Sequence, residues 1–157
     1  MAQCLAQLIT QADFPEGTAW TRQQVKAQQV VIREGDHDCK IYLIEEGALQ
    51  VVSTMELDGE HRVRPGIYNL EPGEIFGEFC LFQDLARTAS VIAATDCQLV
   101  VIDGAQLKNY MDAHPDTGYR ILGEMYTALI DRLRLANKRV QQLFAWGLKA
   151  HHIDEHL

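Results

Sequence analysis

Between Val25 and Ile102 a turn signal recurs about every ten residues, and this spacing constrains the fold more than any other feature of the chain. Apolar, β-rich runs at Val30-Val31-Ile32, Lys40-Ile41-Tyr42-Leu43-Ile44 and Leu49-Gln50-Val51-Val52 alternate with turns at Glu34-Gly35-Asp36 and Glu45-Glu46-Gly47. Leu57-Asp58-Gly59-Glu60 reads as a hairpin tip, and Gly66-Ile67-Tyr68-Asn69-Leu70 as the strand before Pro72-Gly73. Ala89 to Ala94 and Cys97 to Ile102 complete about eight strands. Short strands at this spacing close best as two packed sheets, which bury their edges and leave an interior able to take a small ligand. The expected fold is mainly β with flanking helices: a double-stranded β-helix (jelly-roll) barrel followed by a long C-terminal helix. The expected boundaries are one domain over 1–157, with an N-terminal helical segment at 1–24, the barrel at 25–103 and C-terminal helices at 104–150. Pro15-Glu16-Gly17 marks a break inside the first segment.

Inside the barrel stretch one loop carries chemistry. Ile75-Phe76 leads in and Val91-Ile92 leads out, so the loop leaves one strand and re-enters another, carrying Glu78 and Arg87 inward. Those two side chains stand nine residues apart. A plain ion pair at a strand end is one reading. The other is a pocket for a phosphorylated sugar. Arg87 offers a planar fork of donors to two phosphate oxygens, and the Glu78 carboxylate accepts from a ribose hydroxyl. Glu78 to Phe82 is long enough for about one helical turn, whose unpaired N–H groups would face the anion, and Gly77 lets the backbone come close.

The run Phe76-Gly77-Glu78-Phe79-Cys80-Leu81, followed by Arg87-Thr88-Ala89-Ser90-Val91, resembles the phosphate-binding cassette of the cyclic-nucleotide-binding domain family. Ile32 to Asp36, Ile41 to Ile44, Gly47 and Leu70 to Glu74 look like other parts of the same family, so the resemblance spans about residues 25 to 145. Two positions depart from the pattern: Cys80 stands where Ala or Ser is usual, and Ala86 where some members have Pro. The resemblance implies a catabolite-activator-like sensor domain whose ligand is a cyclic mononucleotide, cyclic AMP (cAMP) ahead of cyclic GMP (cGMP). It implies ligand contacts from Gly77, Glu78, Phe79, Cys80, Leu81, Arg87, Thr88 and Ala89. Thr88 bears on selectivity, since a Thr after the Arg accompanies cGMP use in eukaryotic members, whereas bacterial activators with Ser use cAMP.

Beyond Asp103 the periodicity becomes helical. A short helix over Ala105 to Met111 is stopped by His114-Pro115, and a longer one runs from about Asp116 to Trp146. Along it Tyr119, Leu122, Tyr126, Leu129, Leu133, Ala136, Val140 and Leu143 keep steps of three and four. At 1.5 Å per residue this helix is about 45 Å long, more than a small barrel covers, and a parallel homodimer through it is the expected answer. In the bacterial activators polar residues on this helix reach the purine base. The resemblance places Asn137 there, and Trp146 is a candidate to stack on the base.

Composition narrows the classes. With 14 basic against 22 acidic residues the net charge is −8, which argues against a nucleic-acid partner, so an anionic ligand must be held by local geometry. Eleven residues follow Trp146, too few for a helix-turn-helix. Cys4, Cys39, Cys80 and Cys97 show no C-x-x-C pair and no dense framework, so reduced thiols are the expectation. His37 and His61 are isolated, which does not suit a cupin-type metal site; His151, His152 and His156 read as a solvated tail. No nucleophile–base pair points to an enzyme, and neither an export signal nor a membrane span is visible. The expectation is a cytoplasmic, non-catalytic sensor without a cofactor, passing its signal to a separate protein. The competing reading is an interaction module that kept the barrel and lost the nucleotide.

Overall fold

The computed structural model describes residues 2–53, 55–57, 61–63, 66–82 and 85–150. Helix α1 (Gln3–Leu8) is followed by β1 (Trp20–Val25), β2 (Val30–Ile32), β3 (Lys40–Glu46), β4 (Leu49–Val52), β5 (Met55–Leu57), β6 (His61–Val63), β7 (Gly66–Leu70) and β8 (Ile75–Phe76). A 3₁₀ turn at Glu78–Leu81 leads through the cassette to β9 (Ser90–Ala93), β10 (Cys97–Asp103), α2 (Gly104–Ala113) and α3 (Pro115–Ala150). Two antiparallel four-stranded sheets, β1-β10-β3-β8 and β2-β9-β4-β7, make the jelly roll, and β5-β6 form a separate hairpin. The hairpin tip read at Leu57 to Glu60 lies, apart from Leu57, outside the described residues.

Strand β3 shows how the barrel is filled. Its four central residues, Ile41 to Ile44, are all buried because both faces of its sheet are covered. Ile41 and Leu43 face the helices, joining Leu5, Leu8, Phe14, Val100, Ile102, Leu107 and Ile121. Tyr42 and Ile44 point the other way, into the barrel, with Leu49, Val51, Leu70, Phe76, Val91 and Leu99. A slip of one residue would exchange the two sets, so two cores pin one register.

Two expectations need correction. The helical segment expected over 1–24 does not reach its end, because Trp20–Val25 is a strand, registered Trp20 to Ile102 and Val25 to Cys97. Thr21 to Gln24 are exposed polar residues on a sheet edge, so no hydrophobic period betrays them, and the pairing with β10 decides. The thiols are not all free. Cys39 and Cys80 form a disulfide with Cα atoms 5.3 Å apart, while Cys4 and Cys97 are free and buried. Folding brings together two cysteines 41 residues apart, a proximity that spacing does not encode.

At the C-terminal side, the Asp103 carboxylate accepts from the Gln106 N–H to cap α2, and His114 ends it. Pro115 occupies the first helical position of α3, where its missing N–H costs nothing. Ile121 and Met125 bury one stripe of α3, but Leu133, Val140, Leu143, Phe144 and Trp146 are exposed.

Candidate functional site

Arg87 is the one charged residue buried among those described, 7% exposed. Its Nε donates to Asp38 Oδ1, its Nη1 to the Gly77 carbonyl and its Nη2 to the Lys40 carbonyl, each at 2.8 Å. The backbone is held as well, since the Arg87 N–H donates to the Asp36 carbonyl and the Gly35 N–H to the Arg87 carbonyl. A guanidinium has five N–H groups, so this anchoring leaves two, one on each terminal nitrogen. Gly77 has φ +83°, and a Cβ there would come 2.8 Å from the Lys40 carbonyl and 3.0 Å from Arg87 Nη1. Only glycine suits both demands. The 3₁₀ turn Glu78–Leu81 starts at Gly77 with no side-chain cap, which leaves its first N–H groups without a capping side chain.

Glu78 faces the same small cavity from the other side. Its carboxylate accepts from Arg132 Nη1 at 2.7 Å, with side-chain exposures of only 9% and 13%. Arg132 comes from α3, donates through Nη2 to the Ile75 carbonyl and lies over the Tyr68 ring, 5.7 Å from its centroid. Its Nε is buried with no hydrogen-bond partner among the described residues. The cavity between these groups measures about 60 Å³. That is well below the roughly 300 Å³ at which small-molecule sites begin. Arg132 therefore occupies the Glu78 carboxylate from inside this cavity.

Of the residues expected in the site, Gly77, Glu78, Phe79, Cys80, Arg87, Thr88 and Ala89 line this cavity, joined by Arg132 and Tyr68. Leu81 instead packs into the helix-side core, where it seats the turn. The Cys80 sulphur is bonded to Cys39. Asn137 is exposed on α3 and does not line the cavity; the side chain that enters from this helix is Arg132, five residues earlier. Burial pushes the Tyr42 hydroxyl up from its ordinary pKa, helped by Asp38 and opposed by Arg87. Tyr42 stacks on Phe76 at 4.8 Å and floors the Gly77 bend. Tyr68 is also raised, chiefly by burial.

Asp38, Tyr68 and Arg132 were missed in the sequence. Arg132 had a signal, because Ile121, Met125, Ala128 and Arg132 keep helical steps of four, three and four along the inner stripe of α3. An arginine on an otherwise apolar stripe asks for a partner. Asp38 had none, since it sits in an irregular run between polar neighbours.

A second, larger groove of about 680 Å³ runs between α1, β7 and α3 and shares Tyr68 and Arg132 with the first. In it the Glu124 carboxylate accepts the Cys4 N–H, but neither Glu78 nor Arg87 reaches it. Among the described residues no three metal-ligating side chains cluster, and no helix is long and apolar enough to cross a membrane.

The architecture is a jelly roll in which a carboxylate, Glu78, and an arginine, Arg87, line one small cavity. The family model for the cyclic nucleotide-binding domain matches residues 22–114, more than half of the chain, and the chain belongs to that family. Over 66 residues it is 46% identical to acetyltransferase Pat of Mycolicibacterium smegmatis, covering 42% of this chain and 18% of that protein. Over 75 residues it is 32% identical to the cAMP-dependent protein kinase regulatory subunit of Dictyostelium discoideum, covering 48% of this chain and 23% of that one. The chain thus spans less than a quarter of each of these relatives. Among solved structures, a cyclic nucleotide-binding domain from Methylobacillus flagellatus superposes with a TM-score of 0.71 over 80% of this chain and 68% of its own, at 21% identity. At that identity the likeness is one of fold.

Proposed function

We propose that this protein is a non-catalytic cyclic-nucleotide sensor in which the ligand and Arg132 compete for Glu78. The observation that carries this reading is the placement of Glu78 and Arg87 on one cavity, beside a bend that its positive φ and the nearby Lys40 carbonyl reserve for glycine. The phosphate takes the two free N–H groups of Arg87 together with the N–H groups of the 3₁₀ turn. The ribose hydroxyl takes Glu78, which releases Arg132 and with it the hold of the cassette on α3. A ligand shifts an equilibrium only by its differential affinity for two states, and exchange at Glu78 supplies that difference. The released helix makes room for the base, and Asn137 then approaches it. We assign cAMP ahead of cGMP, with the Dictyostelium relative as support and Thr88 at the cavity as the residue that tests it. The exposed seam of α3 pairs with a second copy, and the signal leaves through a separate protein, in the cytoplasm and without DNA.

Isothermal titration with cAMP tests the reading directly, with cGMP as competitor. Micromolar or tighter binding that disappears in Arg87→Ala is the expected result. The closed cavity and the internal pairing of Glu78 favour one rival, a nucleotide-free interaction module, for which neither nucleotide would give heat. For the seam, a Leu133→Glu/Val140→Glu variant should sediment as a monomer where the parent sediments as a dimer; equal masses would remove the dimer.

A further inference from the structure

Cys39 and Cys80 join two segments that matter to the same guanidinium. Cys39 lies between Asp38, whose carboxylate takes Arg87 Nε, and Lys40, whose carbonyl takes Nη2. Cys80 lies three residues after Gly77, whose carbonyl takes Nη1. The bond therefore ties together the two pieces of backbone that provide all three acceptors of Arg87. Neither half-cystine is fully buried, and an open cleft of about 350 Å³ reaches both, lined also by Asp38, Phe82 and Leu85. The remaining cysteines, Cys4 and Cys97, are buried and unpaired, so they are shielded from reagents that reach this bond. Room for the sulphur is provided at Gly104, the first residue of α2, where a Cβ would fall 2.3 Å from Cys39 Sγ. A Cβ there would also come 2.8 Å from the Cys39 carbonyl, so the close approach of the whole Cys39 residue accounts for the glycine.

We propose that Cys39–Cys80 is a reversible thiol–disulfide site that sets the affinity of the cassette, oxidised for tight binding and reduced for weak. This rests on the nucleotide reading of the site given above. Disulfides that form in reducing compartments are usually transient and redox-sensing, and an accessible pair beside a ligand-holding arginine fits that class. The oxidant is a small-molecule disulfide of the glutathione type. The thiolate of one cysteine attacks it, breaking its S–S bond, forming a mixed disulfide and expelling one thiolate. The other cysteine then attacks the mixed disulfide, forming the Cys39–Cys80 bond and expelling the second thiolate. Two cysteine thiols are oxidised, one small disulfide is reduced to two thiols, and the two S–H protons pass to the departing thiolates.

Cross-linking holds the Asp38–Lys40 segment and the Gly77–Cys80 turn at one separation, so Arg87 meets the phosphate already framed. When the bond opens, the frame forms only part of the time, and apparent affinity falls by that fraction. A frame present about one tenth of the time gives a dissociation constant about tenfold weaker. The test is isothermal titration of the full chain with cAMP after equilibration in oxidised or in reduced glutathione, with thiols counted by alkylation in denaturant, which opens the buried Cys4 and Cys97 to the reagent, and by mass measurement. Two blocked thiols in the oxidised sample, four in the reduced one, and about tenfold weaker binding on reduction are expected, fully restored on reoxidation. Cys39→Ser/Cys80→Ser should bind like the reduced parent in either buffer; if that variant does not fold, the reduced parent carries the comparison. Equal affinity in both states overturns the coupling and leaves the nucleotide reading standing. So does tighter binding on reduction, and so does a bond that will not re-form. Unfolding on reduction makes the bond a structural staple and overturns the switch. Heat in neither state removes the nucleotide reading and this coupling with it.

Discussion

The two walls of the cavity both end in an arginine, and they are built differently. On the cassette wall Arg87 is buried and holds three acceptors at 2.8 Å, two of them backbone carbonyls fixed by β3 and the Gly77 bend. On the helix wall Arg132 reaches in from the middle of a 36-residue helix, grips one carboxylate and one carbonyl, and leaves its Nε buried and without a partner among the described residues. An orphaned buried donor costs roughly 1–3 kcal/mol, and Arg132 carries a nitrogen with no partner among the described residues, whereas each Arg87 nitrogen has one. In the function proposed above, the cassette is the fixed half of the site and α3 the displaceable half.

Removing Arg87 attacks the fixed half and should have the largest effect. Arg87→Ala takes the counter-charge from a bound phosphate, a loss of roughly 3–5 kcal/mol by analogy with broken buried pairs. That corresponds to about two to three and a half decades in cAMP affinity by titration. Binding within threefold of the parent would mean that the wall does not hold the ligand. Gly77→Ala tests the same wall through its backbone. With φ +83° and a Cβ pressed 2.8 Å from the Lys40 carbonyl, it should lower the unfolding free energy by roughly 1–3 kcal/mol in urea melts. A neutral outcome would show that the bend yields, and the contrast with α3 would weaken.

The displaceable half predicts the opposite sign. Arg132→Gln removes the competitor for Glu78 while keeping an amide donor, so cAMP affinity should rise, by about tenfold if the ion pair supplies about 1.4 kcal/mol of the closed state. The same variant should be less stable without ligand, because Glu78 is left poorly partnered. Weaker nucleotide binding would instead make Arg132 a ligand contact and break the distinction between the walls.

How much of this was legible follows the same division. The fixed half was written in local sequence: Phe76-Gly77-Glu78 and Arg87-Thr88-Ala89 lie within one loop, and the turn glycines and β-rich runs around them announce the barrel. Strand β1 was hidden, because a polar edge strand owes its state to Ile102, Val100 and Gln98 across the ladder and not to its own residues. The disulfide and the Arg87–Asp38 pair were hidden too, being contacts over 41 and 49 residues that only the closed barrel creates. The length of α3 and its exposed seam were readable, yet which of its residues enters the cavity was not. The resemblance points to Asn137, which is exposed and does not line the cavity, while the inner stripe through Ile121 and Met125 carries Arg132 into it.

A smaller effect supplies the scale for the helix wall. Glu45 pairs with Arg22 on the sheet surface, its carboxylate accepting from Nε at 3.0 Å, with side chains 23% and 46% exposed. Hydrogen bonds from Arg22 hold the Glu45 carboxyl below the usual range, against opposing desolvation, with Gln98 and the Arg22 charge helping. A folded pKa below the unfolded one contributes stability that is present above the ordinary carboxylate value, about 4.3, and is lost as pH falls through the lower folded value. Glu45→Gln should therefore shift the urea midpoint slightly at pH 7, and the gap between variant and parent should close as the parent is acidified past that range. Solvent screens this pair, so the shift must be smaller than that of Arg132→Gln, whose partner is nearly sealed from water. If the two variants moved the midpoint equally, burial at Glu78 would confer no special strength on its ion pair. The sugar hydroxyl would then displace nothing that mattered to α3.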